Sequence, residues 1–328
     1  MEIFISVDWG TSVLRIRIVD ANKKSIIAEV ANPMGISSAF DLWKQSKQPV
    51  SKRISFYQNI LLEEIKKLEQ KTNAPLQHLP IIISGMASSS IGMKNLPYKE
   101  IPFSADGHDL NVEMIKASND CNHTMLLISG ARTAKDVMRG EETQLIGSPN
   151  ITGKEEHLYI FPGTHSKHSI VKNDEVKDIK TYMTGELFEL LAKKSILSNS
   201  IEKADDLKDG KNLKSFEKGI DDSLHLNILN SFFQVRINDL FNKLSKPENY
   251  CYLSGLLIGT ELKDLNPGTY CTVTGDVFIN KFYKAALEKM KITQVIFIDS
   301  GKATVAGHCL FFDLYKYKLI ATGNRTGR

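Results

Sequence analysis

Two short stretches of the chain carry residues suited to holding phosphate. Asp8-Trp9-Gly10-Thr11-Ser12 joins two β-like runs, Ile3 to Val7 and Val13 to Val19. Pro162-Gly163-Thr164-His165-Ser166 joins two more. A plain hairpin needs only Asn-Gly or Asp-Gly at its turn. Gly10 and Gly163 let the backbone approach a bound oxygen. The N–H groups and hydroxyls of Thr11, Ser12 and Thr164 can then wrap phosphate oxygens as an anion-binding nest. Asp8, at a strand end, suits Mg²⁺, which takes one or two carboxylates together with phosphate oxygens. An ordinary capped turn would explain the first stretch alone; its recurrence at the matching point of the second half favours phosphate chemistry.

The elements around these turns repeat. Leu14, Ile16 and Ile18 share one strand face and Arg15 and Arg17 the other, the period of a half-buried strand. A third strand follows near Ser25 to Val30. Residues 53–70 have helical spacing. The apolar run Ile81 to Ile83 ends in Gly85 and a serine cluster that includes Ser88, a buried strand feeding a helix start. "TMLLISGART" repeats that pattern, and "MRGEETQLIG" predicts a short helix entered through Gly140. The second half reads strand, Gly-Thr turn, strand, Asn-Asp turn, strand, then the helix "GELFELLAKKSIL". Residues 198–222 are polar without a core-forming period and read as a linker or surface excursion. Residues 224–244 and 250–264 read as helices. "TYCTVTGD" is a strand ending in Gly275-Asp276, followed by helix, strand and helix.

The order βββ-α-β-α-β-α, twice, predicts an α/β protein of two ribonuclease-H-like lobes of the actin-like ATPase type, each a mixed βββαβαβα sheet. The expected lobes are residues 1–150 and 151–320, with the two Gly-Thr hairpins facing an interdomain cleft. Residues 321–328, polar and glycine-containing, are expected to be a disordered tail.

Composition narrows the class further. Of 328 residues 42% are hydrophobic and 24% charged, with a net charge of +4. That is an ordinary globular balance. It lacks the clustered basic stripe of a nucleic-acid binder. The four cysteines are scattered without a CxxC pair, which argues against zinc and for buried thiols in a reducing cytosol. The chain begins on a strand without a secretory pattern. No apolar run approaches the ~18 residues of a membrane span. A cytoplasmic enzyme acting on small molecules is expected, with no nucleic-acid or membrane partner.

"VDWGTSVLR", "SGART…DVMRGEETQLIG", "FPGTHSKH", "YMTGELFELL" and "LSGLLIGTEL" together resemble the 2-dehydro-3-deoxygalactonokinases, sugar-acid kinases of the actin-like ATPase superfamily. The resemblance runs from about residue 3 to about residue 312. It implies ATP-dependent phosphorylation, with Mg²⁺, of the 6-hydroxyl of 2-dehydro-3-deoxy-galactonate, in D-galactonate catabolism. The residues alone indicate a two-lobed phosphoryl-transfer ATPase or kinase. A phosphatase or polyphosphatase on the same scaffold, or a kinase of another keto-deoxy sugar acid, is the alternative. A homodimer is compatible with either reading.

Many kinases of the superfamily open the second hairpin with Asp; here Phe161-Pro162 stand there, so the catalytic base comes from elsewhere. Glu141 and Glu142, adjacent at a helix start, are the candidates. Neighbours on a helix point about 100° apart, so one of them meets the acceptor hydroxyl. Glu142 is taken as the base, and Glu141 as a partner for Arg139 or for Mg²⁺-bound water. Dipole complementarity at a surface helix would equally explain the pair. Arg139 suits the substrate carboxylate, since a guanidinium binds carboxylates through two bonds; a salt bridge to a neighbouring glutamate is the plainer alternative. Gly85 and Ser88, at a helix start, could dock substrate oxygens. His165 and Lys167 could touch phosphate or substrate. Gly275 and Asp276 end the strand where this fold seats adenosine, or simply cap the next helix.

Overall fold

The computed structural model describes residues 2–149, 155–204 and 206–321. The chain divides into two compact units, Met1–Lys154 with Val171–Ile179 and Ser300–Arg328, and Glu155–Ile170 with Lys180–Asp299. Of the expected tail, residues 322–328 lie outside the described residues.

The first unit opens with the antiparallel meander β1 (Ile3–Trp9), β2 (Leu14–Asp20) and β3 (Ser25–Asn32), followed by α1 (Ile36–Ser46) and α2 (Arg53–Thr72). β4 (Ile81–Gly85) then pairs parallel with β1. The short strands β5 (Lys99–Glu100) and β6 (Phe103–Ser104) lead to β7 (Val112–Ile115) and β8 (Met125–Ile128). β9 (Ala131–Arg132) and β10 (Val137–Met138) precede α3 (Glu141–Gly147). The main sheet has the order β3-β2-β1-β4-β8-β7. Ile81, Ile82 and Ile83 are all buried, as a central parallel strand requires. Where a helix was expected after β4 the chain makes one 3₁₀ turn, Met86–Ser88.

The plan recurs along residues 157–299, which form the second unit apart from the hairpin tip Val171–Ile179. β11 (His157–Phe161), β12 (Ser166–Lys172) and β13 (Glu175–Tyr182) form the meander, and α4 (Thr184–Lys194) follows. Asn173 and Asp174 turn the β12–β13 hairpin at φ 54° and 59°. α5 (Gly210–His225), α6 (Ile228–Leu240) and α7 (Lys246–Leu262) precede β14 (Cys271–Gly275), α8 (Val277–Lys289) and β15 (Val295–Asp299). The strand order β13-β12-β11-β14-β15 matches β3-β2-β1-β4-β8, so the ribonuclease-H-like plan occurs twice.

Two expectations are corrected. Residues 198–222 are not a linker, because α5 buries Asn212, Ser215, Phe216, Gly219, Ile220 and Ser223. Small and polar residues make most of that seam, which hides its helical period from a hydrophobicity reading. Gly219 and Gly255 let α5 and α7 touch: a Cβ on Gly219 would lie 2.2 Å from the Tyr252 carbonyl oxygen. The second difference concerns the boundary. The terminal helix α9 (Ser300–Ala321) belongs to the first unit, not to a consecutive block 151–320. Phe312 stacks on Phe4 at 5.0 Å, and His308 Nδ1 lies 2.8 Å from Ser6 Oγ.

Candidate active site

In the first unit the predicted residues gather at the carboxyl ends of parallel strands, where open α/β sheets bind ligands. Asp8 and Trp9 stand in register with Ser84 and Gly85 of β4. Trp9 is fully buried and its indole N–H donates to the Met34 carbonyl at 2.9 Å, which ties the strand end to the loop entering α1. The hairpin carbonyls are held in turn by the first turn of α1. Ile36 N–H donates to Gly10 and Ser37 N–H to Thr11, at 3.0 and 3.1 Å. Gly35, at the entry to α1, is obligatory for this fit, since a Cβ there would sit 2.2 Å from the Thr11 carbonyl oxygen.

Gly10 itself is not required by the backbone. It has no positive φ, and a Cβ on it would meet nothing closer than Val13 O at 3.4 Å. Thr11 and Ser12 are exposed. Among the described residues Asp8 has only a loose 3.4 Å contact with Arg15. A lone carboxylate beside an open, hydroxyl-rich turn fits Mg²⁺ that takes its other ligands from phosphate and water. Among the described residues no group of three or more His, Cys, Asp or Glu could hold a metal by itself.

The second part of this cluster is the entry to α3. Gly85 and Gly140 both have left-handed φ, 87° and 116°, and meet face to face: a Cβ on Gly140 would lie 3.3 Å from Gly85 Cα. Side chains are excluded at both positions, which brings the Glu141–Glu142 turn against the end of β4. Glu142 is fully buried, and both its oxygens accept from Gly140 N–H, at 2.9 and 2.7 Å. Burial, then the Glu141 charge beside it, raises its pKa to about 7. Glu141 accepts from the backbone N–H of Arg139 at 2.9 Å.

The Arg139 guanidinium turns to the 3₁₀ turn after β4. It donates to the Ser88 carbonyl and hydroxyl at 2.5 and 2.6 Å, and lies 4.1 Å from the Tyr98 ring centre. Among the described residues its Nε is buried without a partner, as are the hydroxyls of Ser84 and Ser129. An acceptor bridging the Nε–Nη2 edge would satisfy that Nε. Tyr98, Ser84 and Ser129 were not singled out by sequence, for each reaches the site through tertiary packing rather than through a local motif.

In the second unit Gly163 and Thr164 line a cavity of about 330 Å³ together with Gly185, Tyr250, Asp276 and Phe278. Apolar walls with a Gly-Thr rim suit a flat heterocycle joined to phosphates. The hairpin is held as the first one is. Glu186 N–H donates to the Thr164 carbonyl at 2.9 Å. Gly163, like Gly10, leaves room, with nothing nearer to a Cβ than His165 O at 4.0 Å.

Beneath the hairpin lies a buried carboxylate missed by sequence. Glu261 of α7 accepts from Ser166 Oγ at 2.7 Å, His168 Nε2 at 2.9 Å and Tyr283 OH at 2.8 Å, and from Thr184 Oγ1. Other expected residues are otherwise engaged. His165 is exposed and hydrogen-bonded to Glu186. Lys167 is buried, its ammonium donating to Thr181 at 2.8 Å. Asp276 caps α8 through Phe278 and Ile279 N–H, both at 2.8 Å. Gly275 makes room for Asn280, whose Oδ1 would lie 2.7 Å from a Cβ there.

A family model described as 2-keto-3-deoxy-galactonokinase matches residues 8–310. A Rhizobium meliloti (strain 1021) protein with the name of a 2-dehydro-3-deoxygalactonokinase is 31% identical, over 93% of this chain and 94% of its own. The 2-dehydro-3-deoxygalactonokinase of Escherichia coli (strain K12) is 33% identical, over 57% of this chain and 61% of its own. A solved Sinorhizobium meliloti structure, described as a 2-dehydro-3-deoxygalactonokinase protein, is similar with a TM-score of 0.75 at 28% identity. It covers 95% of this chain and 97% of its own.

Proposed function

The chain belongs to the 2-keto-3-deoxy-galactonokinase family, a family of phosphotransferases, and we propose that it moves the γ-phosphoryl group of ATP to the 6-hydroxyl of 2-dehydro-3-deoxy-galactonate. The single observation that carries the residue-level reading is the Arg139 cluster, a cation with an unsatisfied buried Nε set against Ser88 and followed at once by Glu141 and Glu142. A carboxylate-bearing acceptor supplies what that Nε lacks. Phosphatase or polyphosphatase chemistry is not favoured, since the family model and both curated relatives carry a kinase name.

Each role follows from local chemistry. Arg139 binds the acceptor's carboxylate through two bonds. Glu142, with a pKa near neutrality, takes the hydroxyl proton as the phosphoryl group transfers, and Glu141 holds the backbone of Arg139 in place. Gly10, Thr11, Ser12, Gly163 and Thr164 receive phosphate oxygens. The apolar wall beside Asp276 receives the adenosine. Asp8 holds Mg²⁺, which when bound would offset the charge of the phosphates.

The reading places the enzyme in the cytoplasm, in D-galactonate catabolism. Four buried free cysteines suit a reducing compartment. No helix among the described residues is long and apolar enough to cross a membrane. Product analysis by phosphorus NMR tests the transfer. A phosphomonoester on the terminal carbon of the keto acid supports it, and inorganic phosphate as the only product would refute it.

A further inference from the structure

The side chain of Glu261 is 1% exposed. Its carboxylate accepts four hydrogen bonds, about as many as two oxygens offer. The donors divide by origin. Oε1 takes Ser166 Oγ and His168 Nε2, both from β12. Oε2 takes Tyr283 OH from α8 and Thr184 Oγ1 from α4. Stability alone is a poor reason for such a group, because well-packed apolar residues often serve as well as a buried charge and its partner.

The two donors on Oε2 are also walls of the 330 Å³ cavity, beside Gly163, Thr164 and Gly185. Both hydroxyl protons are committed to Glu261, so what these residues give the cavity is the placement of its walls. Thr184 is the first residue of α4. Among the described residues α4 has no side-chain cap at its start, and its apolar contacts, Leu187, Phe188 and Leu191, lie further along. Two polar links hold that start instead: Thr184 Oγ1 to Glu261, and Glu186 N–H to the Thr164 carbonyl. Between them stands Gly185, closed against the Gly163 carbonyl. One side chain and one turn of helix thus connect the Glu261 carboxylate to the Gly-Thr hairpin.

We propose that Glu261 is a positioning residue for the nucleotide: through Thr184 and Tyr283 it sets two walls of the cavity and the stance of the Gly163–Thr164 hairpin, without touching the nucleotide itself. This rests on the reading of that cavity as the ATP site. Calorimetric titration with ADP, in the absence of any sugar acid, tests it. Glu261→Gln keeps the volume but turns one oxygen into an N–H donor, so one pair of donors loses its acceptor. The ADP dissociation constant should rise about tenfold, since displacements of an ångström or less act on that scale. The KM for ATP should rise by as much, while that for the sugar acid changes less than about twofold. Tyr283→Phe keeps the ring and removes only the link to the network, and should raise the ADP dissociation constant about threefold. It decides the matter if Glu261→Gln does not fold. In the Glu261→Gln background the same substitution should have little further effect, as a shared network requires. ADP affinity equal to wild type in the folded variants, or an equal rise in both KM values, would overturn the inference alone. A wild type that binds no ADP would overturn the reading of the cavity and the inference together.

Discussion

Gly185 stands so close to Gly163 that a Cβ on it would lie 2.4 Å from the Gly163 carbonyl oxygen. Gly35 and Thr11 repeat the relation in the first unit at 2.2 Å. In each unit the helix that follows the meander enters through a glycine and clamps the Gly-Thr hairpin by its carbonyls, leaving the hairpin's other side open.

This contrast predicts opposite behaviour for neighbouring glycines. Gly185→Ala forces the hairpin or α4 to move and should cost about 1–3 kcal/mol of stability, as overpacking does. Gly163→Ala meets open space in the free protein and should change stability by less than ~1 kcal/mol. Yet it fills the volume assigned to phosphate, so the KM for ATP should rise at least tenfold. Thermal melts together with ATP-dependent kinetics separate the two. An unchanged KM for Gly163→Ala would remove the hairpin from phosphate binding.

Glu261 links β12, α4 and α8 under the second hairpin. Glu261→Ala leaves four donors without their acceptor and should destabilise by about 3–5 kcal/mol. Tyr283→Phe removes one donor and should cost only about 1–2 kcal/mol. Urea titration of both variants tests this, and equal losses would mean that Glu261 is not the centre of the network.

Glu142 should give activity and stability opposite pH trends. Its folded pKa is raised to about 7 from an ordinary value near 4.5. Its contribution to stability is therefore fully present below the unfolded value and is lost as pH rises through about 7, by ~3 kcal/mol in all. As a base it must be ionised, so kcat should rise over the same interval. Glu142→Gln should lower kcat ~10²–10⁴-fold and flatten the stability profile between pH 5 and pH 8.5. A stability profile parallel to that of wild type would show that Glu142 titrates elsewhere.

Arg139→Lys keeps the charge but loses both the fork and the stacking on Tyr98. The KM for the sugar acid should rise at least tenfold and that for ATP less than twofold. A rise confined to ATP would reassign Arg139 to the nucleotide.

The meanders and both hairpins could be read from sequence because strand alternation and Gly-Thr turns are local signals. The entry to α3 could be read from its Gly-Glu-Glu run. What lay hidden is non-local. α5 buries Ser215, Gly219 and Ser223, residues that score as surface. α9 packs on β1 through Phe312 and His308, far away in sequence. Arg139 meets Tyr98 and Ser88 across loops whose path no periodicity encodes. The glycines that packing requires, Gly35 and Gly185, also escaped notice, because the atoms they avoid belong to hairpins distant in the chain.

The central claim is phosphoryl transfer to a keto-deoxy sugar acid, and steady-state ADP release with Mg²⁺ and ATP tests it most directly. A panel of 2-keto-3-deoxy acids and their parent sugars is compared with a blank lacking any acceptor. The account predicts ADP release that requires the acid, is highest with 2-dehydro-3-deoxy-galactonate, and falls by orders of magnitude in Asp8→Asn. Release that proceeds equally without any acceptor, or in Asp8→Asn at the wild-type rate, would contradict it.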